Sequence, residues 1–194
     1  MVNAIERRAA VARLLENRGD TLVVTGLGSP TYDVHAAGDD DANYYLWGAM
    51  GGAALVALGL AQAQPERPVW AITGDGEQLM AMGALATIGV SAPKNLSVIV
   101  LDNQHFGETG MQGSHTGRGV ALEKVADACG WAEARLVEGE YAAAALARQL
   151  AEPARGPRLY VLKVHAENLP RSMPSRDAVF IKNRFRAHLG LQPN

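Results

Sequence analysis

Two apolar strands joined through a Gly74-Asp75-Gly76 turn and a helix, the second ending on Asp102-Asn103, narrow the folds open to this chain. Residues 69–73 carry no charge and read as a parallel strand buried on both faces. Over 77–89, Leu79, Met82, Leu85 and Ile88 recur at helical spacing, and 95–101 gives the second strand. A right-handed strand–helix–strand crossover puts the C-terminal ends of both strands on one edge of the sheet. Asp75 and Asn103 then converge, although 26 residues, 77 to 102, separate Gly76 from Asn103.

Two hard oxygen ligands beside a helix start suit a magnesium–diphosphate pair. Magnesium takes octahedral oxygen coordination with few protein ligands, and phosphate oxygens and water complete the shell. The amides of Gly76 and Glu77 open the helix towards the diphosphate, and glycine at 76 permits a close approach. Gly-Asp-Gly alone is a common turn; its strand context and the Asn at the second strand end give it meaning.

The rest of the chain continues the alternation. Residues 4–18 form an amphipathic helix with Ile5, Val11, Leu14 and Leu15 inward, stopped by Gly19. Residues 21–25 are a strand. Residues 26–30 are either half of a nucleotide-binding glycine pattern or a plain strand exit, with Pro30 interrupting any helix. Residues 31–44, with Asp39, Asp40 and Asp41, read as a polar surface loop. Residues 47–61 are a buried helix of small residues, short of the roughly 20 needed to span a bilayer. Residues 104–119 are a loop on the ligand edge. Then follow a helix at 123–129, a strand at 133–137, an Ala-rich helix at 141–150 and a strand at 159–164. An irregular stretch at 165–175 leads to a terminal helix at 176–189, with Val179, Phe180, Phe185 and Leu189 inward. This predicts an α/β fold: a single domain over 1–194, three-layer and doubly wound, its mostly parallel sheet covered by helices on both faces.

A net charge of −2 gives no reason to expect nucleic acid or an anionic membrane as partner. The single Cys129, read as the buried end of a helix, excludes an internal disulfide and a cysteine-held iron–sulfur cluster. The start of the chain, with Glu6, Arg7 and Arg8, lacks the apolar core of a signal peptide, so a cytoplasmic protein is expected.

The strand, Gly-Asp-Gly, helix, strand, Asn arrangement resembles the diphosphate-binding domain of thiamine diphosphate enzymes. Within that family the pattern is most similar to sulfopyruvate and phosphonopyruvate decarboxylases, over residues 43–51, 74–88, 101–112 and 169–174. The resemblance implies thiamine diphosphate and Mg2+ as cofactors. It implies that Asp75, the Asn103 side chain and the backbone carbonyl of His105 bind magnesium, and that amides of Gly76, Glu77, Phe106 and Gly107 face the diphosphate. Gly48 would offer its carbonyl to the pyrimidine amino group, and Met50 would wedge between the two rings. Glu77 departs from the small residue common at its position in decarboxylases, and a carboxylate there has to turn away from the diphosphate.

The resemblance also exposes an absence. The family activates the cofactor with a glutamate on a separate pyrimidine-binding domain, for which 194 residues leave no room. In sulfopyruvate decarboxylase the two domains can be separate subunits, and this chain is similar to the diphosphate-binding one. A hetero-oligomer with at least two copies of each chain is implied, decarboxylating a small 2-oxo acid. The alternatives are a carboligase subunit, the small subunit of a 2-oxoacid:ferredoxin oxidoreductase (against which the lack of cluster cysteines counts), or a non-catalytic cofactor-binding module. Candidate catalytic residues are His115, Glu108 and Arg118, in the loop after Asn103. Arg118 suits a distal substrate anion and His115 a protonation step; the bland reading makes them solvated loop side chains.

Overall fold

The structure, a computed structural model, describes residues 4–192; residues 1–3 and 193–194 of the expected 1–194 domain lie outside the described residues. Its six-stranded parallel sheet is built from β1 (Leu22–Thr25), β2 (Asn43–Tyr45), β3 (Val69–Gly74), β4 (Leu96–Asp102), β7 (Glu133–Val137) and β8 (Arg158–Lys163), ordered β2-β1-β3-β4-β8-β7. The strands β5 (His105–Phe106) and β6 (Gln112–Gly113) form a separate antiparallel hairpin. The helices are α1 (Arg7–Leu15), α2 (Ser29–Ala36), α3 (Ala53–Ala63), α4 (Asp75–Met80), α5 (Met82–Ser91), α6 (Leu122–Ala128), α7 (Glu140–Leu150) and α8 (Ala178–His188).

Alternation along the strands builds two cores. Val69, Ala71, Val98, Val100, Leu159 and Val161 pack with α3, α5 and α6 on one face. Trp70, Ile72, Ile99, Leu101, Tyr160 and Leu162 pack with α1, α2 and α7 on the other. On α3, Ala53, Ala54, Ala57 and Ala61 are all buried, so the small side chains let that helix sit close to the sheet. The chain leaves β1 outward to β2 and returns to β3 on the other side of β1. This makes β1/β3 the topological switch point, where ligands bind in open α/β sheets.

Four local expectations are corrected. Pro30 does not interrupt a helix: it stands in the first turn of α2, where a missing N–H is tolerated. The surface loop expected over 31–44 is confined to 37–42, where Asp39, Asp40 and Asp41 are exposed, since α2 reaches Ala36 and β2 begins at Asn43. Thr31 and Asp33 are buried because they are paired. Thr31 bonds the Gly26 carbonyl at 2.7 Å, and Asp33 takes the guanidinium groups of Arg7 and Arg8. The helix predicted over 77–89 is two, parted where Ala81 leaves helical torsions. In α8, capped by the Asp177 side chain, Ile181 and Phe185 turn inward while Val179 and Phe180 face out. Phe180 instead carries the Arg184 guanidinium 5.6 Å from its ring.

Where α5 meets the end of α6, the backbones touch. A Cβ added at Gly89 would lie 2.0 Å from the Cys129 carbonyl oxygen, whereas one at Gly83 meets nothing within 4 Å. Gly89→Ala is expected to destabilise by about 1–3 kcal/mol through overpacking. Gly83→Ala is expected to stabilise by about 0.5–1 kcal/mol through helix propensity. Denaturant melts of the two variants check both signs.

Candidate active site at the carboxyl edge of the sheet

Gly74 of β3 pairs with Leu101 of β4, so Asp75 and Asp102 emerge side by side at the carboxyl edge. Asp75 is 2% exposed. Its Oδ2 accepts from the Ser114 hydroxyl and, at 3.2 Å, from the Thr116 hydroxyl, which also reaches Asp102 Oδ1 at 2.7 Å. Lys163, at the end of β8, pairs with the other Asp102 oxygen. Burial pushes the Asp75 carboxyl up to about 6; the Asp102 charge adds to the rise and the two hydroxyls oppose it. A carboxylate in this state is stabilised by any cation placed against it.

A cavity of about 180 Å³ opens here, between the loops that follow β1, β3 and β4. Of the residues picked out in the sequence, it gathers Met50, Asp75, Gly76, Glu77, Asn103, His105, Phe106, Gly107 and Glu108. Leu27, Ser29 and Arg7 complete much of the wall. Gly48, His115 and Arg118 are not in the wall and are exposed, although the His115 ring meets Phe106 edge-on at 6.2 Å. A Cβ at Gly76 would stand 2.8 Å from the Phe106 ring, so the close approach that glycine permits is that of the hairpin.

The hairpin sets the direction of the His105 carbonyl. Ser114 N–H donates to the Gln104 carbonyl at 2.7 Å, which makes 104 and 114 a hydrogen-bonded pair. His105 and Gly113 are then a non-hydrogen-bonded pair, and the polar backbone groups of His105 point away from β6. Its N–H accordingly goes to Asn103 Oδ1 at 2.8 Å. The oxygen set therefore fits a magnesium–diphosphate group: a buried carboxylate in need of a cation, an amide oxygen with a second lone pair, and an outward backbone carbonyl.

Glu77 does turn away, and the structure shows where. It is 4% exposed; Oε2 accepts from Leu27 N–H at 2.8 Å, and Oε1 from Gly51 and Ala53 N–H at 3.2 and 3.3 Å. One carboxylate thus ties α4 to the loop after β1 and to the turn that carries Met50. A Cβ at Gly26 would lie 2.0 Å from Oε2, so glycine is needed there.

Sequence reasoning missed Ser114, Thr116 and Lys163 and gave Asp102 no partner. Nothing local marks the first two, which sit in an aperiodic loop, and Lys163 lies in an otherwise apolar strand. Only its place at the end of a strand on the ligand edge could have drawn attention.

A parallel sheet with oxygen-bearing side chains beside its switch point is the arrangement of a ligand-binding α/β domain. The same fold occurs in benzoylformate decarboxylase from Polynucleobacter necessarius, with a TM-score of 0.67 over 86% of this chain and 34% of that one, at 20% identity. Residues 31–164 match the family described as thiamine pyrophosphate enzyme, C-terminal TPP binding domain, and the chain belongs to that family. It is 34% identical over 185 residues to sulfopyruvate decarboxylase subunit beta of Methanococcus maripaludis, covering 93% of this chain and 96% of that one. It is 39% identical over 121 residues to the subunit of the same description from Methanocaldococcus jannaschii, covering 62% of this chain and 64% of that one. To phosphonopyruvate decarboxylase of Streptomyces viridochromogenes it is 38% identical over 194 residues, 96% of this chain but 47% of the relative. Several relatives are therefore longer than the part this chain matches.

Two outcomes check the site. Glu77→Gln sets an amide donor against backbone N–H donors and is expected to cost about 1–3 kcal/mol in a thermal melt. The pH effect of Asp75 has a definite sign. Its folded value, raised from 3.8 to about 6, makes the folded chain hold the proton more tightly than the unfolded one. Without divalent cations, stability should fall as pH rises across that window, by about 1–3 kcal/mol. Asp75→Asn should remove the fall, as seen in denaturant midpoints measured at either end of the window.

Proposed function

We propose that this chain is the diphosphate- and magnesium-binding subunit of a thiamine diphosphate-dependent 2-oxo acid decarboxylase. The observation that carries the reading is the convergence of Asp75, Asn103 and the outward His105 carbonyl on one cavity at the switch point. The relatives of similar pattern are named decarboxylases of sulfopyruvate and phosphonopyruvate, and two are named as beta subunits. A separate pyrimidine-domain subunit supplies the activating glutamate, in a hetero-oligomer with at least two copies of each chain. Among the described residues no helix is long and apolar enough to cross a membrane, which accords with work in the cytoplasm.

When bound, thiamine diphosphate supplies a nucleophilic carbon and an electron sink for the loss of carbon dioxide. The chain's own residues hold it. Asp75, Asn103 and the His105 carbonyl would ligate magnesium, and the amides of Gly76, Glu77, Phe106 and Gly107 would face the diphosphate. Met50, in the cavity wall and held by the Gly51–Glu77 contact, would pack against the cofactor rings, and Gly48 would offer its carbonyl to the pyrimidine amino group. His115, whose ring meets Phe106 edge-on, and Arg118 would contact the substrate outside the cavity wall. Glu108 shares a salt bridge with Arg171 at 3.0 Å, which removes much of its repulsion for an acidic 2-oxo acid.

The test is reconstitution with the partner subunit and a panel of 2-oxo acids. The chain alone should turn over none of them, and the complex should release carbon dioxide. In the complex, Asp75→Ala should weaken magnesium-dependent cofactor binding by about a hundredfold or more, the loss of a charge-assisted ligand. Met50→Ala should keep binding while turnover falls. Steady turnover by the isolated chain, or unchanged cofactor affinity in Asp75→Ala by calorimetry, overturns the reading.

A further inference from the structure

Asp75 has two carboxylate oxygens, and its neighbours engage only one of them. Oδ2 takes the Ser114 hydroxyl and, at 3.2 Å, that of Thr116. Among the described residues no other residue bonds Oδ1, and Asp75 lines the cavity.

The two hydroxyls are themselves fixed. Ser114 is fully buried, and its N–H donates to the Gln104 carbonyl at 2.7 Å, which holds it in the register of the β5–β6 hairpin. Thr116 is buried as well, its hydroxyl 2.7 Å from Asp102 Oδ1 and 2.9 Å from the Ser114 hydroxyl. Gln104 N–H shares Asp102 Oδ1 at 3.0 Å, and Lys163 holds the other Asp102 oxygen. A hydroxyl has one proton to give. Thr116 stands nearer to Asp102 than to Asp75, so Ser114 is the firmer donor to Asp75.

The consequence is one of denticity. A carboxylate with one oxygen tied meets a cation through the other alone. Asn103 has a single amide oxygen, already turned by the His105 N–H at 2.8 Å, and His105 a single carbonyl. One-oxygen contacts on a rigid frame suit magnesium, which demands near-octahedral geometry. Calcium takes roughly six to eight oxygens and accepts carboxylates through both of theirs in pliant sites. We propose that Ser114, seconded by Thr116, is a positioning residue that confines Asp75 to a one-oxygen contact and so sets the preference of this site for magnesium over calcium. This builds on the magnesium role proposed for Asp75, and the experiment tells the two apart.

The probe is inorganic pyrophosphate, titrated by calorimetry into the full chain with magnesium or with calcium in excess; the readout is the ratio of the two affinities. The wild-type chain is expected to favour magnesium. Ser114→Ala should weaken the magnesium complex by about tenfold, as removal of a ligand's outer partner does, and leave the calcium complex within about threefold. Thr116→Val should move the ratio the same way by less, and Thr116→Ser, which keeps the hydroxyl, should restore it. The Thr116 pair carries the same test if Ser114→Ala does not fold. Equal losses for both metals in Ser114→Ala, the mark of a merely structural role, overturn the proposal, as does a wild-type chain that favours calcium. A wild-type chain that binds pyrophosphate with neither metal overturns the magnesium role of Asp75 itself, and this proposal with it.

Discussion

The carboxyl edge of this sheet is arranged around one difficulty, the burial of Asp75. A carboxylate taken out of water is strongly disfavoured unless hydrogen bonds or a cation compensate it. The chain gives it two hydroxyls, from Ser114 and Thr116, and then places Asp102 within reach of the same Thr116 hydroxyl. Lys163 balances Asp102, but among the described residues no cation is paired with Asp75 itself. Its raised pKa is the signature of that deficit. Two acidic groups side by side follow from the pairing of β3 with β4, which carries both chains off the edge together.

The second carboxylate of the turn solves the opposite problem. Glu77 is buried, but three backbone N–H groups from two other segments satisfy it. Buried backbone donors need acceptors, and an ionised acceptor is the strongest available. Glu77 therefore fixes the Met50 turn and the β1 exit relative to α4, and it does so only because Gly26 leaves room for its oxygens. Asp75 and Glu77 are two residues apart and do unlike work: one faces the cavity, the other braces its walls.

The two cores make this edge stiff. Each of β3, β4 and β8 is covered by helices on both faces, so the ends of these strands are fixed by packing rather than by their loops. The long tail after β8 then closes the rim through its backbone carbonyls, which take Arg7 and Arg8 from the first helix. The first helix and the tail after β8 are thus brought to the same rim as the Gly-Asp-Gly turn, although nothing in their spacing connects them.

The amino-acid sequence by itself determined the alternation of strands and helices, the parallel sheet and the meeting of Asp75 with Asn103. Hydrophobic period and the handedness of the crossover are local or nearly local facts. It also marked Glu77 as a carboxylate obliged to turn aside. Tertiary structure alone decided what Glu77 turns towards, because its partners at 27, 51 and 53 lie on other segments. It decided that 31–36 is helix, since Thr31 and Asp33 read as solvent-facing until Gly26, Arg7 and Arg8 are seen to satisfy them. It decided that His115 and Arg118 stand outside the cavity while Arg7 and Glu108 stand inside it. Side-chain direction in an aperiodic loop is set by long-range hydrogen bonds, and those have no period to be read.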